Sequence, residues 1–284
     1  MSLLQAALSP ARRLRITRPA PVPAPAVLDH PLRAPRKWLL AQLLPTLIII
    51  AGWSALSLSG LFPSQIVVPP QTLWRTFLQL WASGQLPADL EGSLGRLAVG
   101  YSIGAAAGVA LGAIMGLSSQ GRAFLMPSFH VLRQLPTIAL IPAFIMLFGV
   151  GETVKIILVA KATALPVALA TFEGIRGIPR VYFDIGKIFR VGRAALLTKV
   201  VAPAVIPSAI TGMRVALSRS WMVLVGAELM IADSGLGQMM EWGRQAFRID
   251  MVLVGVVLTG LIGFVLDKGF RAGQRALQPG SARP

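Results

Sequence analysis

The chain has 284 residues, 55% hydrophobic and only 13% charged, with no cysteine. So apolar a composition excludes a soluble domain with a charged surface, and several apolar runs approach the ~20 residues that a helix needs to cross a bilayer. The net charge of +16 does not point to nucleic acid, because the basic residues lie mostly between apolar segments, as topology-setting charges do. Without cysteine there is no disulfide framework and no thiol chemistry.

Residues 1–37 carry Arg12, Arg13, Arg15, Arg18, Arg33, Arg36 and Lys37 among repeated Pro and Ala, which predicts a disordered basic tail on the cytoplasmic side. A secretory signal peptide is not expected, since its charged region would be far shorter. A first span is predicted at about 39–59. Residues 70–86 follow, with Leu73, Phe77, Leu80 and Trp81 on one helical face, so this segment should lie along the outer surface between polar stretches that include Asp89 and Glu91. The second span is predicted at about 94–117. In it Gly100, Gly104, Gly108, Gly112 and Gly116 recur every four residues. They draw a seam that lets another helix approach closely, although membrane helices are rich in glycine generally.

Residues 123–134 read as interfacial. The next apolar run, about 135–150, is punctuated by Pro136 and Pro142, with Pro127 just before it, and predicts a broken helix. Further spans are expected at about 153–175, 206–231 and 250–270. With the N-terminus inside, nineteen basic residues fall on inner segments, and four, Arg75, Lys155, Arg244 and Arg248, on outer ones. That bias predicts six spans with both termini cytoplasmic.

Chemistry is sparse. His30 and His130 are far apart, so no metal site is expected. No nucleophile elbow and no phosphate-binding loop occur; Gly186-Lys187 lacks both the upstream glycine and the following Ser or Thr. The chain is therefore expected to be non-catalytic and to bind no cofactor, and any ATPase that drives it must be another polypeptide. The informative charges lie within spans: Lys161 in the fourth, Arg219 near the middle of the fifth, Glu228 toward its outer end, and Arg96 near the outer end of the glycine-seam helix. A central charge costs about 2.5–3.5 kcal/mol on insertion scales and usually faces the bundle interior. Two readings fit these residues. One is a polar path with a positive bias, suited to an anion. The other is structural pairing, for instance Lys161 with Glu228, with Arg214 snorkelling to the interface.

Residues 181–207 read VYFDIGKIFRVGRAALLTKVVAPAVIP, too charged to cross a bilayer. Val181, Ile185, Ile188 and Phe189 share one helical face, Gly192 interrupts, and a second short helix should run to Pro203. This pair is either an interfacial loop or a surface that a partner takes in a groove. It resembles the signature loop of ABC importer permeases. Asp184 stands where that motif has Glu, Ile185 and Gly186 where it has Ala, Val200 where it has Ile, and Pro203 at its final Pro. Arg190 occupies the motif's glycine position and Ala202 its leucine position, which moves the expected turn to Gly192. The resemblance extends over about residues 90–275. The runs SLGRLAVGYSIGAAAGVALGAIMGLS, LRQLPTIALIPAFIMLFGVGETVKI, TGMRVALSRSWMVLVGAELM and SGLGQMM are similar to the nitrate, sulfonate, taurine and bicarbonate permeases.

The resemblance implies a type I ABC importer permease fold, all-α, in a bacterial inner membrane. Residues 38–90 would hold the first span and the amphipathic segment, 91–275 a core of five spans, and 276–284 a cytoplasmic tail. Coupling helices at about 179–203 would dock on ATPases through Asp184, Ile185, Gly186, Ile188, Phe189, Arg190, Gly192 and Pro203. The partners implied are a second copy of the chain, two cytosolic ATPases carrying ATP and Mg, a periplasmic binding protein and membrane lipid. The alternative is a secondary transporter or channel, which would need no ATPase; a membrane-embedded enzyme is disfavoured for want of a catalytic cluster.

Overall fold

The computed structural model describes residues 36–59, 61, 67–231 and 233–277. The expected N-terminal tail, up to residue 35, and the C-terminal tail from residue 278 lie outside the described residues. The chain divides into two units between Gly52 and Trp53. Helix α1, Arg36–Leu58, crosses that division and contains Pro45; among its described residues Leu47–Leu58 is an apolar stretch.

In the second unit helices joined by short connections are the regular structure among the described residues. Its helices are α2 (Pro70–Ala82), α3 (Gln85–Leu117), α4 (Ser119–Gln134), α5 (Ile141–Phe148), α6 (Glu152–Arg176), α7 (Arg180–Ile188), α8 (Arg193–Leu196), α9 (Ala202–Met230), α10 (Leu236–Gln245) and α11 (Ile249–Leu277). Four helical stretches are long and apolar enough to cross a membrane: α3, α6, the α8–α9 run and α11. The α4–α5 pair, bent by 92°, is a fifth if it counts as one broken span. Of the six expected spans, the one at 39–59 falls on α1, several of whose first residues have side chains outside the described ones.

Helix α6 is the hub, packed between α3 and α9. The α3–α6 contact follows from the glycine seam. A Cβ at Gly100, Gly108 or Gly112 would lie 2.9, 2.6 or 2.5 Å from the carbonyl oxygens of Ile156, Ala164 and Ala168, and one at Gly104 would strike that of Ala160. Those carbonyls also recur every four residues, so the two backbones run in register along a shared ridge. A side chain anywhere on the seam would prise them apart. Across α6, Gly212 of α9 meets Ala170.

Several boundaries differ from expectation. Asp89 and Glu91 are helical, because α3 starts at Gln85, directly after the left-handed Gly84 (φ 77°). Helix α2 is amphipathic as expected, with Leu80 buried and Leu73 and Phe77 packed on the core, but Trp81 points away from it, 53% exposed. The break between α4 and α5 falls at Leu135, which is extended (ψ 119°) because the following Pro136 disfavours the helical region. Pro142 is tolerated in the first turn of α5.

The second short helix does not end at Pro203. Helix α8 continues through a π-helical turn, Leu197–Val201, into α9, making one helix of 38 residues from Arg193 to Met230. Pro203 lies in the first turn of α9. Its ring would crowd the carbonyl four residues back, at Lys199; the wider π turn holds that carbonyl. Finally, the stretch between the two last expected spans folds into a short helix, α10, packed on α9 and α11.

Candidate functional site

Three regions hold the chemistry: a groove along α6 and α9, an ionic cluster at the α10 end of the bundle, and the exposed face of α7.

The groove begins as a cavity of about 760 Å³ lined by α6 and α9 and by the α4–α5 break. Lys161, Arg219 and Arg133 all line it. Lys161 does not pair with Glu228. Its ammonium donates to the Leu135 carbonyl and the Thr137 hydroxyl, both at 3.2 Å. The reason is local: the break at Pro136 frees carbonyls that a continuous helix would have used, and a cation at the same depth satisfies one of them. Arg219 is exposed on the groove wall, and among the described residues no carboxylate lies within ion-pair distance of it. Arg214 is held at 3.5 Å by Asp267 of α11, a carboxylate it shares with Arg271.

Glu228 and Arg96 do not line this cavity. They form a separate cluster with residues from α3, α6, α9 and the α9–α10 connection. Glu228 is fully buried. Its carboxylate accepts from the Arg96 guanidinium at 2.7 Å, from the Ser93 hydroxyl at 2.8 Å and from the Gly237 amide at 3.0 Å. Arg96 also donates to the Ser234 carbonyl at 3.0 Å, to Glu152 at 2.9 Å and to the Ser234 hydroxyl. Lys155, fully buried, sits 3.2 Å from Glu152 and 3.9 Å from Asp233. Asp89 accepts from the Gly235 amide at 2.9 Å, and Ser93 accepts from that of Leu236 at 3.1 Å. Gly235 must be glycine twice over: its φ is 113°, and a Cβ there would lie 2.5 Å from Glu228.

Every strong hydrogen-bonding group in this cluster is spent on another. Lone buried charges would cost several kcal/mol each; here Arg96, Lys155 and Glu228 each have an opposite partner, and Glu228 accepts from two neutral donors besides. The arrangement can hold the α9–α10 connection against α3 and α6, and it leaves neither of its cations, Arg96 and Lys155, free for an anion. Sequence reasoning missed Ser93, Glu152, Lys155 and Ser234 as members. Lys155 in particular counts by position as an exposed outer charge. The available signal was that Arg96, Glu152, Lys155 and Glu228 all fall near the same end of their predicted spans.

Helix α7 presents Val181, Tyr182, Ile185, Ile188 and Phe189 outward, the last two at 75% exposure. On its other side Phe183 packs with Ile175, Ile178, Val201 and Val205, and Gly186 is buried against Leu196. The helix ends in a Schellman turn. The Val191 amide donates to the Gly186 carbonyl at 2.8 Å and the Arg190 amide to that of Lys187 at 3.1 Å. The left-handed residue this turn requires is Arg190 (φ 49°), whereas Gly192 has φ −60°. The turn thus stays at the position where the resembling motif has glycine and does not move to Gly192. Asp184 is exposed and pairs with Lys187 one turn on, at 3.1 Å. Among the described residues no group of three or more His, Cys, Asp or Glu is placed to hold a metal ion.

Long apolar helices, a broken helix covered by a cation, and charges segregated to the bundle interior define a multi-pass α-helical membrane protein. Residues 106–280 match the family of binding-protein-dependent transport system inner membrane components, and the chain belongs to that family. It is 34% identical over 254 residues to the putative aliphatic sulfonates transport permease protein SsuC of Bacillus subtilis, covering 89% of this chain and 92% of that one. It is 31% identical to the taurine transport system permease protein TauC of Escherichia coli, covering 82% and 86%. It is likewise 31% identical to the bicarbonate transport system permease protein CmpB of Synechococcus elongatus, covering 62% and 64%. In fold it is similar to a chain of the inward-facing MetNI methionine ABC transporter, with a TM-score of 0.54, 18% identity, and coverage of 67% of this chain and 97% of that one.

Proposed function

We propose that this chain is the permease subunit of an ATP-driven importer for a small anion of the sulfonate, taurine, nitrate or bicarbonate kind. The observation that carries the reading is the groove, in which Arg133, Lys161 and Arg219 face one cavity of about 760 Å³. Two copies of the chain, each with six spans and both termini cytoplasmic, would close their grooves on one another and enclose a path. The relatives' named solutes, sulfonates, taurine and bicarbonate, agree with a cationic lining.

Energy would come from two cytosolic ATPases that bind ATP and Mg, this chain doing no catalysis. Each ATPase would take an α7 in a groove of its own, burying Ile185, Ile188 and Phe189. Closure of the ATPases would move α7 and, through the packing of Gly186 on Leu196 and of Phe183 on Val201 and Val205, the continuous α8–α9 helix whose far half bears Arg219. A periplasmic binding protein would deliver the solute.

The test is uptake into vesicles from a panel of labelled ethanesulfonate, taurine, nitrate and bicarbonate. Uptake of one of them should require ATP, the ATPase and the binding protein together. The permease alone importing at the same rate would overturn the reading in favour of a secondary transporter or channel.

A further inference from the structure

The basic cavity is only the first of three that run in series toward α7. It shares Ala170, Glu173 and Thr211 with a second cavity of about 420 Å³. That one shares Glu173, Gly174 and Ser208 with a third of about 670 Å³, which reaches Pro179 and Tyr182 at the start of α7. Glu173, in the last turn of α6, is the single residue that lines all three, and among their lining residues it is the one acid. The charge along the groove is therefore graded. Arg133, Lys161 and Arg219 line the first cavity, whose lining also takes in Glu173; Glu173 is the only charged residue lining the second, and Lys199 lines the third with it. Glu173 is exposed, and among the described residues no cation lies within ion-pair distance of it, although Arg176 is three residues away on the same helix.

A carboxylate held on a path for anions opposes their passage there. A path lined with cations throughout would hold its cargo, since a site that binds must also be weak enough to leave. A single negative charge placed after the cationic section weakens retention on the side where the cargo departs. We propose that Glu173 is a release residue: it keeps an anion leaving the Arg133–Lys161–Arg219 section from being held again near α7. This rests on the reading of the groove as an anion path.

Because the chain has no cysteine, single cysteines, followed as labelling of this chain alone, can report the local potential without background from its other residues. Met222→Cys places a reporter beside Arg219, Thr211→Cys one beside Glu173, and Ala246→Cys a control away from the groove. Each is reacted, in the reconstituted transporter without nucleotide, with an anionic sulfonate-bearing thiosulfonate and with its trimethylammonium counterpart. The ratio of anionic to cationic rates should be highest at Met222→Cys and clearly lower at Thr211→Cys. Glu173→Gln should raise the ratio at Thr211→Cys by about fivefold, as expected for a unit charge removed from a partly hydrated site, and leave the control unchanged. Glu173→Lys should raise it further.

If Glu173→Gln and Glu173→Lys both leave the Thr211→Cys ratio unchanged, or if Thr211→Cys reacts with neither reagent, the inference is overturned while the cationic section stands. If instead Met222→Cys shows no anionic preference over the control, the anion-path reading itself fails.

Discussion

The two ends of the helix bundle are built on opposite terms. At the α10 end, Arg96, Glu152, Lys155 and Glu228 are tied to one another, to Ser93 and to backbone amides, and the larger part of that network is buried. Along the groove that runs from mid-bundle toward α7, Arg219 and Glu173 have no ion-pair partner among the described residues, and at its α7 end Ile188 and Phe189 stand out at 75% exposure. At the first end the buried charges are paired within one chain. The second carries charge left free and a bare apolar face, and a contiguous apolar face of that kind marks a surface that a partner covers. Charges within a membrane protein are thus not equivalent evidence of a pathway: a paired one holds the frame, and an unpaired one facing a cavity is available to cargo.

The largest effect should come from opening the completed end. Arg96→Met would strand Glu228 without its cation, and breaking a buried pair this way costs about 3–5 kcal/mol. The variant should lose its monodisperse peak in detergent or melt far below the parent; an unchanged melting temperature would mean the cluster is not what holds the α9–α10 connection. Phe189→Asp tests the open end. A carboxylate in a docked apolar contact should cost roughly 2–5 kcal/mol of affinity. The ATPase should fail to co-purify while the permease elutes as before. Loss of the permease peak itself would instead show that α7 packs within the bundle.

Gly108→Leu probes the packing between the ends. Its side chain must displace the Ala164 carbonyl, which would lie 2.6 Å from a Cβ. Overpacking of this kind costs about 1–3 kcal/mol, visible as a lower melting temperature with both ends chemically intact. The smallest change expected is a gain. Arg190 holds a left-handed conformation that costs a non-glycine residue about 1 kcal/mol, so Arg190→Gly should slightly raise the stability of the α7 turn, read as slower proteolysis there. Faster cleavage would show that the arginine side chain contributes more than the turn loses.

The sequence showed these regions unevenly. The glycine seam was legible because its four-residue spacing is strict, and the α4–α5 break because prolines mark it. The apolar face of α7 could be read from Val181, Ile185, Ile188 and Phe189 alone. What was hidden depends on contacts far apart in the chain. Arg96 and Glu228 are 132 residues apart, and nothing local says that Glu228 finds Arg96 and that Lys161 finds the Leu135 carbonyl. Burial of Lys155 is equally a tertiary fact. The turn at Arg190 was misplaced because glycine preference argued for Gly192, whereas the hydrogen bonds to Gly186 and Lys187 fix the left-handed residue by its distance from the helix end. The continuity of α8 and α9 went unseen because a proline normally ends a helix, and a π turn before it is not written in composition.

The most direct test of the contrast is Arg219→Met, measured beside the parent for ATP-driven uptake, ATPase co-purification and melting temperature. A groove cation that serves the cargo and not the frame should lose roughly tenfold or more in uptake, equivalent to about 1.4 kcal/mol, with assembly and melting unchanged. Full uptake in a normally assembled variant, or a collapse in stability like that expected of Arg96→Met, would contradict the account.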